Sequence, residues 1–195
     1  MRTVPAHTAV KLSVAAELFA DHGVEQTKIE DIAAATGIPK ATLYYYFAGK
    51  EEILAFLFRD TLNRVADEVA IAVESEGSAA ARLAEVIRAQ LRVMAEQPAI
   101  CRALVGELGR AGRIPEIAAM IHAAYYQPVQ SLIEDGVTEG SLRQVPDPES
   151  GAMAVFGAVT ISALSYLVTD QALDQERIAS AVTTLVLDGL RLRQR

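Results

Sequence analysis

The sequence predicts an all-α protein of about nine helices, and three observations predict it. Apolar residues recur three and four apart along nearly the whole chain, the period of a helix with one buried face. No segment shows the alternation of apolar and polar residues that marks a half-buried strand. Gly23, Gly37, Gly49, Gly77 and Pro98 punctuate the periodic runs where helices would have to stop.

Residues 8–21 read as a first helix, with Val10, Val14 and Leu18 beside Ala15 and Phe19 on its apolar side and Asp21-His22-Gly23 at its end. Thr27 and Glu30 have capping-box spacing at the start of a second. Ile29, Ile32 and Ala33 follow at helical spacing, and Gly37 ends the helix because glycine reaches the left-handed conformation without steric cost. Pro39 opens a third helix where its missing N–H costs nothing. Leu43 and Phe47, four apart, turn inward there, which leaves Lys40, Thr42, Tyr44 and Tyr45 facing out.

Two short helices joined by a glycine-containing turn have the form of a helix-turn-helix, whose second helix enters the DNA major groove. The outward groups suit that task. Tyrosine hydroxyls can donate to phosphates while their rings lie on sugars or thymine methyls. The predicted DNA contacts are Lys40, Ala41, Thr42, Tyr44, Tyr45 and Tyr46, with Lys50 beyond the helix and Thr27 and Lys28 at the preceding helix start. Thr27 reads equally as a purely structural cap, and the alternative for each lysine is a solvated side chain. Arg2 is a further candidate, as a flexible arm.

The run TKIEDIAAATGIPKATLYYYFAGKEEIL, with AAELFADHGVEQ before it, resembles the DNA-binding signature of the tetracycline-repressor (TetR) family of bacterial regulators. The likeness covers about residues 8–54. Tyr46 stands where the family often has histidine, and Pro39 where it often has a capping serine. The resemblance implies an N-terminal three-helix DNA-binding head at 1–49. It also implies a helical ligand-binding and dimerisation domain at 50–195.

Charge tempers that expectation. Residues 1–50 hold five of the 18 basic and five of the 25 acidic residues, so the remainder carries the whole net charge of −7. The head is neutral, not basic, and its DNA contacts would have to come from a few placed groups.

Beyond the head, a long helix is expected over 50–75, followed by helices over 79–96, 99–110 and 115–135 and an irregular stretch over 136–148. Pro128 lies inside the helix of 115–135 and removes one of its hydrogen bonds. Residues 150–169 carry no charge, a length that could cross a bilayer. The hydroxyl residues within that stretch and the lack of flanking lysine or arginine argue against it. Gly151, Ala154, Ala158, Ser162 and Ser165 instead form a small-residue stripe suited to close helix packing. A last helix over 175–192 has Ile178, Val182, Leu185 and Val186 on one side. These two final helices either complete a monomer core or meet their symmetry mates in a four-helix homodimer interface, the arrangement the resemblance implies.

No catalytic constellation and no metal-ligand spacing appear, and His7, His22 and His122 are widely separated. The expectation is a non-enzyme without metal or cofactor. Cys101 beside Ile100 and Leu104 reads as core sooner than as a redox sensor. A lone cysteine and no signal-like apolar start fit a cytoplasmic protein.

The resemblance also implies a small-molecule pocket in the second domain. Met94, Leu104, Leu108, Tyr125, Tyr126 and Phe156 are the candidate lining, though each by itself reads sooner as plain core, and few charges nearby suggest a mostly apolar effector. The expected function is a sequence-specific transcriptional regulator, a repressor released from a palindromic operator by that effector. The alternatives are a regulator without a small ligand, and a helical hydrophobic-ligand carrier or enzyme with a vestigial head.

Overall fold

The computed structural model describes the backbone of residues 3–111, 115–169 and 173–190, and their side chains except 105–111, 115, 116 and 190. All regular structure among these residues is helical. In chain order the helices are α1 (Ala6–Leu12), α2 (Ala15–Gln26), α3 (Ile29–Thr36), α4 (Lys40–Tyr46), α5 (Lys50–Val73), α6 (Ala79–Glu96), α7 (Pro98–Ala111) and α8 (Pro115–Ile121). A π-helical turn (His122–Tyr126) follows, then α9 (Gln127–Glu139), α10 (Pro148–Val168) and α11 (Gln175–Leu190). Arg2 lies outside the described residues.

The chain packs as two units, residues 1–61 with 97–117 and residues 62–96 with 118–195. In the first unit the opening segment is two helices, not one. A turn at Ser13-Val14 shifts the helical phase, so Leu12, Ala15, Ala16 and Phe19 are buried while Val10 and Val14, expected inside, are 72% and 47% exposed. Gly23 breaks α2 locally at φ +72°. Helix α7 packs on α2, and the Arg102 guanidinium meets Glu17 at 2.6 Å. It runs on to Ala111, one residue past the helix of 99–110 expected from the sequence. Burial pushes the Cys101 thiol up to about 12, which keeps it protonated and makes it a small hydrophobe rather than a redox group.

In the second unit α6 is central, packing against α9, α10 and α11. Just before Pro128, where the sequence predicts a lost helical hydrogen bond, the chain makes a wide turn in which the Gln127 N–H bonds to the His122 carbonyl five residues back. Residue 136 does not end α9 as a helix breaker. The helix continues to Glu139, and a Cβ on Gly136 would stand 2.6 Å from Leu142 Cδ1 and 2.9 Å from Ala79 Cβ. Glycine is needed there for close approach. The Glu139 carboxylate accepts the Ala79 N–H and so caps α6 from a different helix.

Helix α10 is long and apolar enough to cross a membrane by length and composition, yet a third of that stretch is buried. Its inner side, with Ala152, Val155, Val159 and Ala163, packs in the second unit. Ile161 and Val168 are outside, as is Leu185 of α11, at 76% exposure. The apolar side expected to hold Ile178, Val182, Leu185 and Val186 together is divided, with Ile178 and Val182 buried and Leu185 exposed. Leu187 is buried in its place.

Candidate nucleic-acid interface and interior site

The turn between α3 and α4 is fixed by local bonds. Gly37 sits at φ +64°. Ile38 is buried, and its N–H donates to the Thr36 hydroxyl, which itself donates to the Ile32 carbonyl at 2.7 Å. The Pro39 carbonyl then accepts from Thr42 and Leu43 to start α4. Leu43 and Phe47 anchor that helix from beneath, at 1% and 2% exposure.

With Leu43 inward, Tyr44 and Tyr45 are 55% and 58% exposed. Lys28, Lys40 and Ala41 are exposed as well, and Thr42 and Tyr46 are half-buried. The rings make a graded series. Tyr45 meets Tyr46 edge-on at 4.9 Å, and Tyr46 leads to Phe47, which meets Phe56 at 5.6 Å. An exposed tyrosine is thus braced on a ring rooted in the core.

Two predicted contacts are placed differently. Thr27 is 2% exposed, with its hydroxyl donating to the carbonyls of Leu18 and Gly23 and its N–H also bonded to Gly23. It has no donor left for a phosphate, so it is structural. The capping interaction lies one residue on, where the Asp31 carboxylate accepts the Lys28 N–H at 3.1 Å. Lys50 is half-buried and donates to the Glu25 and Thr27 carbonyls at 2.8 and 3.0 Å, satisfying backbone groups at the end of α2. Lys40 is paired with Glu30, a partner ten residues away that helical spacing gives no reason to suspect. The hydrogen bond to Lys40 lowers the Glu30 carboxyl from its ordinary range and raises the Lys40 ammonium.

Three of the six expected pocket residues come together in the second unit. Phe156 meets Tyr125 at 5.0 Å and Tyr126 at 5.5 Å, each edge-on. Tyr125 is wholly buried and Tyr126 half-buried. Met94 is buried in the same unit, whereas Leu104 belongs to the other, and the Leu108 side chain lies outside the described residues. The second unit also has an open depression of about 500 Å³, lined by Ala66, Asp67, Ala70, Ala123, Gln127 and Pro128 among others. Of the residues singled out in the sequence, only Pro128 borders it. Sequence reasoning also passed over Gln90, a buried amide set among Leu83, Val86, Ile87, Leu91 and Met94 on the inner side of α6. A polar residue interrupting an apolar stripe was the available signal.

Comparison with known proteins agrees with this arrangement. Residues 12–56 match the profile of bacterial regulatory proteins of the tetR family, and residues 76–190 match the tetracyclin repressor-like C-terminal domain. The fatty acid metabolism regulator protein of Bacillus subtilis is 22% identical over 182 residues, 92% of this chain and 93% of that protein. The HTH-type transcriptional repressor KstR2 of Mycolicibacterium smegmatis is 23% identical over 181 residues, covering 92% of this chain and 88% of that one. A crystal structure of FadR from Bacillus subtilis in complex with stearoyl-CoA superposes with a TM-score of 0.77 at 22% identity, covering 92% of this chain and 97% of that chain.

Proposed function

Because this chain belongs to the tetR family of bacterial regulatory proteins and is a DNA-binding transcriptional regulator, we propose that it is a homodimeric, cytoplasmic repressor released from a palindromic operator by an apolar, acyl-type effector. The observation that carries the DNA arm is the outward pair Tyr44 and Tyr45, held more than half exposed by the buried Leu43 and Phe47. With Lys28, Lys40, Ala41 and Thr42 they form a face of hydroxyls, methyls and cations suited to phosphates and base edges. Tyr46 supports that face, and Lys50 ties the start of α5 to the end of α2. The DNA-binding head comprises residues 1–49, and residues 50–195 serve ligand binding and dimerisation.

The acyl class is supported by the fatty-acid regulator among the relatives and by the stearoyl-CoA bound to the similar FadR. Release works as a population shift, the effector binding more tightly to the conformation whose two heads mismatch successive major grooves. By linkage, operator DNA weakens effector binding by the same factor.

The test is titration of DNA from upstream of the protein's own gene at two salt concentrations, with and without stearoyl-CoA, beside the Tyr44→Ala/Tyr45→Ala variant. The expected result is tight, salt-sensitive binding by the wild type, lost in a variant that still folds, and reversed by stearoyl-CoA. A folded protein that selects no sequence from random DNA would overturn the repressor reading and favour a carrier. DNA binding indifferent to stearoyl-CoA would remove the acyl arm alone.

A further inference from the structure

Among the described residues of the second unit, four buried side-chain polar atoms have no hydrogen-bond partner: Arg82 Nε, Thr183 Oγ1, and a pair of interest, the Tyr125 hydroxyl and the Gln90 amide oxygen. Both belong to side chains that touch Phe156. The Tyr125 ring lies edge-on to the Phe156 ring, and the Gln90 amide nitrogen donates to the Phe156 carbonyl at 3.4 Å and to the Thr160 hydroxyl at 2.8 Å. A backbone carbonyl can only accept, so the nitrogen must face it and the Gln90 oxygen is left as an acceptor. Buried polar atoms are ordinarily paired, and an unpaired one calls for a reason.

Phe156 is the residue these two side chains share. Tyr126 and Phe156 are only partly buried and lie 5.5 Å apart, and Phe156 in turn covers Tyr125. A ligand that displaced the Phe156 ring would meet the Tyr125 side chain, and Gln90 bonds the backbone of that same residue.

We propose that Tyr125 and Gln90 are the polar reading point of the effector site, selecting an apolar molecule that carries an uncharged group able both to accept and to donate a hydrogen bond. An alcohol or an amide has both capacities. This deepens the ligand-responsive reading above and rests on it, the acyl class excepted, because a thioester carbonyl accepts from Tyr125 but has no hydrogen for the Gln90 oxygen. Burial raises the Tyr125 phenol, which therefore stays a neutral donor. A carboxylate gains one hydroxyl there, but it also meets the lone pairs of the Gln90 oxygen and loses its hydration.

Decanol and decanoate are suitable probes, matched in chain and different in head group, read by thermal shift and by release from operator DNA at neutral pH. The expected result is at least tenfold tighter binding of decanol. Tyr125→Phe should weaken decanol about five- to tenfold, the worth of one hydrogen bond. It should leave the melting temperature of the free protein unchanged or higher, because the deleted hydroxyl had no partner. Gln90→Met should weaken decanol similarly.

Decanol binding that is unchanged in Tyr125→Phe, or a free variant that melts lower, would overturn the proposal, the latter by showing a structural water on the hydroxyl. Decanoate binding as tightly as decanol would overturn it too. If stearoyl-CoA still releases the wild type in those cases, the repressor reading stands. If neither stearoyl-CoA nor decanol binds the wild type, the ligand-responsive reading and this inference fall together.

Discussion

The Lys50 ammonium donates to the Thr27 carbonyl at 3.0 Å, joining two residues whose sequence positions suggested separate contacts to DNA phosphates. A second bond from the same ammonium, to Glu25 at 2.8 Å, makes Lys50 a clamp between the start of α5 and the end of α2. Lys50→Met should therefore cost about 1–2 kcal/mol of stability in chemical denaturation, the scale of a partly exposed charge-assisted bond. DNA affinity should fall with it. Full stability combined with lost affinity would show instead that Lys50 acts as a phosphate contact.

Glu30 shields Lys40 in the free head. Glu30→Gln should release that cation, strengthen operator binding a few-fold at low salt and steepen the salt dependence by about one unit of slope. Because the Glu30 carboxyl is lowered, its pair with Lys40 is fully present above the ordinary value of 4.5 and is lost only as pH falls through the lowered one. The difference between wild type and variant should therefore be constant across neutral pH. A variant that binds DNA more weakly would mean that Glu30 positions Lys40 instead of restraining it.

The head was legible in the sequence because its signals are local. Gly37, Pro39, Leu43 and Phe47 each act within one turn of their neighbours, and the structure places them as their spacing implies. What the sequence left out depends on partners beyond the local turn. Thr27 has capping spacing, but its hydroxyl is taken by the Gly23 and Leu18 carbonyls of the helix before it, and Lys40 finds Glu30 on α3. The phase slip at Ser13-Val14, which turned Val10 outward, has no glycine or proline to mark it. Leu185 shows a different limit, since apolar periodicity cannot tell a monomer core from a surface that awaits a partner.

Gly136 shows the same limit from the other side, as a glycine that looks like a helix end and is a packing site. In an open helix, Gly→Ala would gain about 1 kcal/mol of helix propensity. Here the added methyl would meet Leu142, itself 1% exposed, and the Ala79 Cβ, which has no rotamer to move. Gly136→Ala should be destabilising by about 1–3 kcal/mol as an overpacked site. Urea unfolding checks this, and a variant as stable as the wild type would show that the 140–147 loop yields freely.

Helix α10 is apolar on nearly every side, a pattern that calls for cover all round. Its inner residues Ala152, Val155, Val159 and Ala163 are buried within the chain, while Ile161 and Val168 are 60% and 64% exposed. On α11, Leu185 adds to this uncovered surface. A second copy of the chain meeting these faces would bury them. In a monomer, Ile161→Asp and Leu185→Asp would each change stability by no more than about 0.5 kcal/mol, because both sites are exposed. In a dimer closed by these helices, each protomer would bury the new carboxylates against an apolar partner. The double variant should therefore sediment as a folded monomer with unchanged helical circular dichroism, and bind a two-half-site operator at least tenfold more weakly. A double variant that remains dimeric would place the dimer contact elsewhere on the chain.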